Sequence, residues 1–209
     1  MADAKPNCRL YLQVPAPLTA KLEAQLAQAM ANTSAACVLL CHDGQPSEDV
    51  HADRLIDLVQ AAGLACLIDG DTEMAERLGA DGVHIAADAD IYVRARAVLG
   101  ETANIGVACG PDRDKAMRLA ELGADYVAFA PDNTDNEAID QCAEIIAWWS
   151  EIFVVPCVAW NVDDPEQAAR FAALGADFVA PSKAIWQDDS AAQLIADIDS
   201  AISRVRSAA

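Results

Sequence analysis

The chain is 209 residues long, rich in aliphatic side chains, and carries a formal net charge of −19. That length suffices for one sizeable core and is short for two independent domains. The charge opposes nucleic acid and anionic membrane surfaces, and it opposes phosphorylated ligands too unless a local basic pocket overrides the field.

Arg9 to Val14 reads as a strand, ended by Pro15 and Pro17 ahead of a helix from about Leu18 to Met30 with Leu22, Leu26 and Met30 on one face. Ala36 to Cys41 is a second strand. After the turn His42-Asp43-Gly44-Gln45-Pro46, Ser47 is placed to cap a helix that carries Val50, Leu55, Leu58 and Val59 and stops at Gly63. Leu64 to Ile68 is the third strand, followed by Asp69-Gly70-Asp71-Thr72 and a helix; Gly82 to Ile85 is the fourth. A helix around Ile91 to Leu99 leads to a fifth strand, Asn104 to Cys109, which Gly110-Pro111-Asp112 breaks. Tyr126 to Phe129 is the sixth, with a helix through Trp148 behind it. Phe153 to Ala159 is read as the seventh, and Asp163-Asp164-Pro165 opens the next helix. Phe178 to Ala180 is the eighth, and Ser190 to Val205 closes the chain with an amphipathic helix.

One phrase orders this series. Leu78-Gly79-Ala80-Asp81-Gly82-Val83-His84 returns as Leu122-Gly123-Ala124-Asp125-Tyr126-Val127-Ala128 and as Leu174-Gly175-Ala176-Asp177-Phe178-Val179-Ala180. Each copy follows an Ala-rich stretch, so each reads as a helix closed by glycine and running straight into a short buried strand. Gly79 and Gly123 are 44 residues apart and Gly123 and Gly175 are 52 apart, about the length of two βα units. Eight such units, with strands apolar on both faces, predict a single parallel eight-stranded (β/α)8 TIM barrel spanning 1–209 as one domain. An open doubly wound sheet is the structural alternative. No uninterrupted apolar run of about 18 residues is present, and Met1-Ala2-Asp3-Ala4-Lys5-Pro6 opens no signal peptide, so the protein is expected to be soluble and cytoplasmic, with no nucleic-acid and no membrane partner. Seven scattered cysteines, mostly in apolar strand runs and without CxxC spacing, are expected to be small buried side chains in a reducing compartment.

In order and spacing, Ala61-Ala62-Gly63, Ala80 to Ile85, Ile105-Gly106-Val107, Gly123 to Val127, Val155 to Ala159 and Gly175 to Ile185 resemble the thiamine phosphate synthase family and its sister branch, the thiazole tautomerases. The resemblance covers about residues 8 to 205. It implies a reaction joining a pyrimidine pyrophosphate to a thiazole phosphate, in which Mg²⁺ held by carboxylates, together with cationic side chains, neutralises departing pyrophosphate.

At the positions where that pattern carries charge, the chain departs from it. The expected Gln-x-Arg-x-Lys after the second strand is Leu39-Leu40-Cys41-His42-Asp43. An Asn-Asp pair becomes Asp69-Gly70, followed by Asp71, and Gly-Gln-x-Asp becomes Ala86-Ala87-Asp88-Ala89. A pyrophosphate-binding Ser is Ala108 and the neighbouring His is Gly110; Thr-x-Thr-Lys becomes Asp132 to Asn136; a Gly-Gly pair is Asn161-Val162; and the Ser after the eighth strand aligns with Lys183. At about 1.5–3 kcal/mol per lost charge-assisted contact, five or six losses would exceed about 8 kcal/mol if they added, roughly a millionfold in rate.

The candidate ligand-binding residues at the rim that follows the strands are His42, Asp69, Asp71, Asp88, Trp160, Asn161, Ser182 and Lys183. Asp71 and Asp88, with Asp69 and Asp90 nearby, are the metal candidates; against this stands the ordinary use of Asp as a helix cap. Lys183 and Ser182 are the anion-binding candidates, the alternative being a lysine that snorkels or pairs with a loop aspartate. His42 is a candidate base, His84 a core histidine. Trp160 is expected either to fill the old phosphate pocket or to stack on a planar ligand. Trp148-Trp149 reads as packing or as a subunit contact in a homo-oligomer. The reading that follows is a diverged, catalytically degenerate family member that no longer catalyses the synthase reaction and serves as a binding or regulatory protein or in another role, with a small phosphorylated heterocycle as its candidate partner. The alternatives are an active synthase or tautomerase with atypical residues and Mg²⁺, and an unrelated enzyme on the same barrel.

Overall fold

The computed structural model describes residues 8–45 and 51–208. Eight strands close into an all-parallel barrel in sequence order: β1 (Arg9–Pro15), β2 (Ala35–Cys41), β3 (Ala65–Asp69), β4 (Gly82–Ala86), β5 (Asn104–Ala108), β6 (Tyr126–Phe129), β7 (Cys157–Trp160) and β8 (Phe178–Ala180), with β8 pairing back onto β1. The intervening helices are α1 (Ala20–Asn32), α2 (Ala52–Ala61), α3 (Thr72–Leu78), α4 (Ala89–Leu99), α5 (Arg113–Glu121), α6 (Asn136–Ile152) and α7 (Pro165–Ala173); a 3₁₀ turn (Lys183–Gln187) and α8 (Ala191–Ala208) complete the chain. This is the (β/α)8 TIM barrel expected from the strand count. None of the described helices is long and apolar enough to cross a membrane. The cap assigned to Ser47, and the helical position of Val50, lie outside the described residues.

Alternation along the strands splits the apolar residues into two layers. Leu10, Leu12, Val14, Val38 and Leu40 face the helices, while Tyr11, Leu39, Leu67, Tyr126 and Val158 pack inside the barrel. The inside layer is aromatic at its centre. The ring of Tyr126 stacks on His84 at 5.7 Å, and between them in the sheet register lies Gly106, paired with both residues. A Cβ on Gly106 would fall 1.8 Å from the Tyr126 ring, so only glycine leaves the ring room to cross its own sheet. All seven cysteines are buried.

The threefold phrase is a single joint used three times. After α3, α5 and α7 the glycines Gly79, Gly123 and Gly175 take left-handed φ values of 72°, 101° and 96°. The amide of the next alanine then reaches back five residues, Ala80 to Ala75 O, Ala124 to Leu119 O and Ala176 to Phe171 O, at 3.0–3.1 Å. The aspartate that follows clamps the strand before. Asp81 Oδ2 accepts from Cys66 N at 2.7 Å, Asp125 Oδ2 from Ile105 N at 2.7 Å, and Asp177 Oδ2 from Cys157 N at 2.8 Å. Each aspartate's own amide donates to the carbonyl of that same residue. Each carboxylate thus holds the start of an odd-numbered strand against the entry to the next even one. At β1 and β2 a guanidinium does the equivalent work, Arg9 donating to Ser34 O and Ala35 O.

One expected strand is shorter than its apolar run. Phe153 to Ala159 reads as continuous β, yet β7 begins only at Cys157. Phe153 still donates its amide to Trp149 O at the end of α6 and stacks on the Trp149 ring at 4.0 Å, Val154 is 99% exposed, and Pro156 has no amide to offer a sheet. Apolarity there serves the helix exit. Trp149 is fully buried and donates to Val155 O, whereas Trp148 is partly buried under Arg113.

Candidate active site at the C-terminal rim

The loops that follow the strands gather at one end of the barrel, where enzymes of this architecture carry their chemistry. Its floor is aromatic. Trp160, the last residue of β7, lies 4.5 Å above the His84 ring at an interplanar angle of 15° and meets Tyr11 edge-on at 5.1 Å. Below it the Tyr11 and Tyr126 hydroxyls share a 2.8 Å hydrogen bond, and the Tyr126 hydroxyl lies 3.1 Å from His84 Nδ1. Burial pushes His84 down to about 3, so this ring is neutral and structural, the core histidine expected. Trp160 therefore caps the barrel axis with one face committed to His84. Next to it Asn161 adopts a left-handed backbone (φ 61°), a conformation glycine or asparagine tolerates, and Asn161 Oδ1 accepts from Gln13 Nε2 at 3.2 Å.

Around this floor the charged candidates fall into two groups. His42, Asp69, Asp43 and Lys183 form one. His42 is buried, with Nδ1 3.1 Å from Gln45 O and Nε2 3.0 Å from Asp69 O. With a backbone carbonyl against each ring nitrogen, His42 tethers its loop to the end of β3 and presents no free nitrogen to the mouth. The Asp69 side chain is half-buried; burial raises its pKa above the usual carboxylate range, with His42 and Lys183 pulling the other way. Lys183 Nζ donates to both oxygens of Asp43, at 2.8 and 3.1 Å, and that hydrogen bond holds its pKa above the ordinary lysine value. In the second group, the carboxylate of Asp163 spans both donors of Ser182: Oδ1 accepts from Ser182 N at 2.6 Å and Oδ2 from Ser182 Oγ at 2.7 Å.

The metal candidates are occupied differently. Asp71 Oδ1 accepts from Met74 N and caps α3; Asp88 Oδ1 accepts from Asp90 N and Ile91 N and caps α4. Asp112, Asp135 and Asp164 cap α5, α6 and α7 in the same way. Among the described residues no three His, Cys, Asp or Glu side chains come together as a metal site. Asp71 and Asp88 each commit an oxygen to a helix N-terminus, the ordinary use of aspartate as a cap.

Reading the sequence brought forward Ser182 and Lys183 but not Asp43, Asp163, Gln13, Tyr11 or Tyr126. Lys183 and Asp43 are 140 residues apart, and no local pattern joins them. Asp163 sits beside the helix-opening Asp164-Pro165, which disguises it as cap chemistry.

The chain matches the thiamine monophosphate synthase family over residues 10–185. It is 37% identical over 186 residues to the thiamine-phosphate synthase of Rhodospirillum centenum, covering 86% of this chain and 90% of that protein. It is 32% identical over 201 residues to that of Erythrobacter litoralis, covering 92% and 94%. Among solved structures, a thiamine phosphate pyrophosphorylase from Pyrococcus furiosus superposes with a TM-score of 0.78 over 95% of this chain and 98% of that one, at 15% identity, a likeness of fold. A match of this extent, carried on the joints and strands described above, makes the chain a member of the thiamine monophosphate synthase family.

Proposed function

We propose that this chain acts on small phosphorylated heterocycles at the C-terminal rim, and that its reaction is that of its relatives: joining a pyrimidine pyrophosphate to a thiazole phosphate to give thiamine phosphate. The observation that carries this reading is the extent of the match, which takes in 90–94% of two curated proteins named for that activity. In such a transfer the thiazole nitrogen forms a C–N bond as the C–O bond to pyrophosphate breaks, and pyrophosphate leaves with the electron pair. Of the rim side chains, Lys183 supplies the positive charge, Asn161 and Ser182 are the hydrogen-bonding groups beside it, and Trp160 supplies a flat apolar wall. No step is assigned to a protein-bound metal.

A second reading, a family member that binds such a ligand without turning it over, is favoured by the rim itself. Leu39, Cys41 and Asp43 stand where the family resemblance calls for an amide and two cations. Asp43 and Asp163 face the donors a phosphate would need. One assay separates the two: purified protein with both substrates, the pyrophosphate supplied as its magnesium complex, followed by detection of thiamine phosphate. Turnover approaching about 1 s⁻¹ supports the synthase. Absent turnover together with a thermal shift on adding thiazole phosphate supports the binder, and neither signal rejects both.

A further inference from the structure

Between β1 and β8 the sheet register runs only through Arg9↔Phe178 and Leu10↔Val179, whereas on its other side β1 stays paired with β2 as far as Pro15↔Cys41. From Tyr11 onward, then, no backbone ladder closes the wall between β1 and β8 among the described residues. One side chain bridges the gap. By the alternation that puts Tyr11 inside and Leu12 and Val14 outside, Gln13 faces the interior one step nearer the mouth, and it is only 6% exposed. Its Nε2 donates to Pro181 O at 2.9 Å, just past the end of β8, and to Asn161 Oδ1 at 3.2 Å, just past the end of β7. Its own backbone carbonyl accepts from Trp186 Nε1 at 2.6 Å, on the 3₁₀ turn. Both hydrogens of the amide are thereby used, which fixes the side chain in one orientation across three strand ends.

We propose that Gln13 is a positioning residue: it stands in for the missing ladder at the mouth, and so sets where Trp160 lies relative to β1 and the β8 loop. The lever is short. Asn161 follows Trp160 directly and turns the chain through a left-handed backbone (φ 61°), and Gln13 grips its side chain. On the other side Pro181 follows Ala180, the register partner of Trp160. Gln13 thus holds the residue next after each member of the last β7–β8 pair. One face of the Trp160 ring is committed to His84 and the ring is partly exposed, so the tilt of the indole decides the slope of the floor that a planar ligand meets. This deepens the functional reading above and rests on it for the ring that the mouth receives. Gln13 acts through Trp160 and Asn161 and touches no reacting atom. A side chain that merely filled the gap would differ in one respect: its loss would cost stability and leave turnover as it was.

Two variants of the full chain test this. Gln13→Met keeps the length of the side chain and removes both donors, and Asn161→Gly keeps the left-handed turn and removes one acceptor. Amide hydrogen exchange followed by NMR reads the positioning without substrate. Val162 N–H, bonded to Ala180 O at 3.0 Å beside the mouth, should exchange about tenfold faster in Gln13→Met, while Ile105 N–H, held by Asp125, exchanges as before. In the synthase assay kcat/KM should fall about tenfold or more in Gln13→Met. Asn161→Gly should lower it too, and the double variant should be no worse than Gln13→Met, because both substitutions cut one link. Asp177→Ala, at the base of the same β7–β8 doublet, should lose stability and keep its kcat/KM. Unchanged exchange at Val162 in Gln13→Met overturns the proposal, whether or not the chain turns over. So does an unaltered kcat/KM in Gln13→Met, an equal loss in Asp177→Ala, or fully additive losses in the double variant. Faster exchange at Val162 in a chain without turnover upholds the role of Gln13 and rejects the synthase reading alone.

Discussion

The two ends of this barrel use the same side chain for opposite purposes. At the N-terminal end Asp81, Asp125 and Asp177 hold backbone amides of the neighbouring strand, contacts that are partly buried and repeated three times along the chain. At the C-terminal end Asp43 and Asp163 hold donors of the β8 loop through exposed contacts that occur once each. A carboxylate in the first setting holds a strand amide that would otherwise be left unsatisfied, and Asp81 and Asp125 take Gln60 and Arg96 as well. In the second it competes with solvent and with any anion that arrives. Position relative to the strands, more than residue type, decides whether an aspartate builds the fold or tunes the mouth.

Substitutions that break this contrast should grade in size. Gly106→Ala strikes the core between the two ends, forcing a methyl into the Tyr126 ring; overpacking of this kind typically costs about 1–3 kcal/mol, and the 1.8 Å approach places it at the top of that range or beyond. Chemical denaturation should show the largest loss of stability here; a loss under about 1 kcal/mol would mean that the aromatic stack can slide aside. Asp125→Ala comes next, leaving Ile105 N–H unsatisfied and depriving Arg96 of its carboxylate partner, with an expected cost of about 1.5–3 kcal/mol. Asp43→Asn is the smallest: its stability should change by less than about 1 kcal/mol, since it removes only an exposed ion pair with Lys183. Equal destabilisation by Asp125→Ala and Asp43→Asn in the same melt would erase the distinction between the two ends.

The legibility of the chain follows the same division. The joints were readable because every element of them is local: glycine ends the helix, alanine closes the turn, and an apolar run follows at once. What the aspartate of the phrase does was not readable, since its partner lies 15 to 20 residues back on another strand. The rim was legible as a set of absences from a known pattern and as a list of polar residues, but not as pairs. Lys183 was weighed as an anion binder or as the partner of a loop aspartate, and the structure gives it Asp43. His42 was weighed as a base, and the structure places a carbonyl against each of its nitrogens. The run from Phe153 misled for a different reason: hydrophobicity marks burial without saying against what, and here stacking on Trp149 absorbs it.

The reciprocal clamps join β3 to β4, β5 to β6 and β7 to β8, with Arg9 doing the same for β1 and β2, so the cylinder has a grain of four strand doublets. Between doublets lie α2, α4, α6 and α8, while α1, α3, α5 and α7 each lie inside a unit whose two strands are pinned at their base. The chemistry of the mouth can change while these pins stay in place, because Asp81, Asp125, Asp177 and Arg9 all lie at the opposite end of the strands.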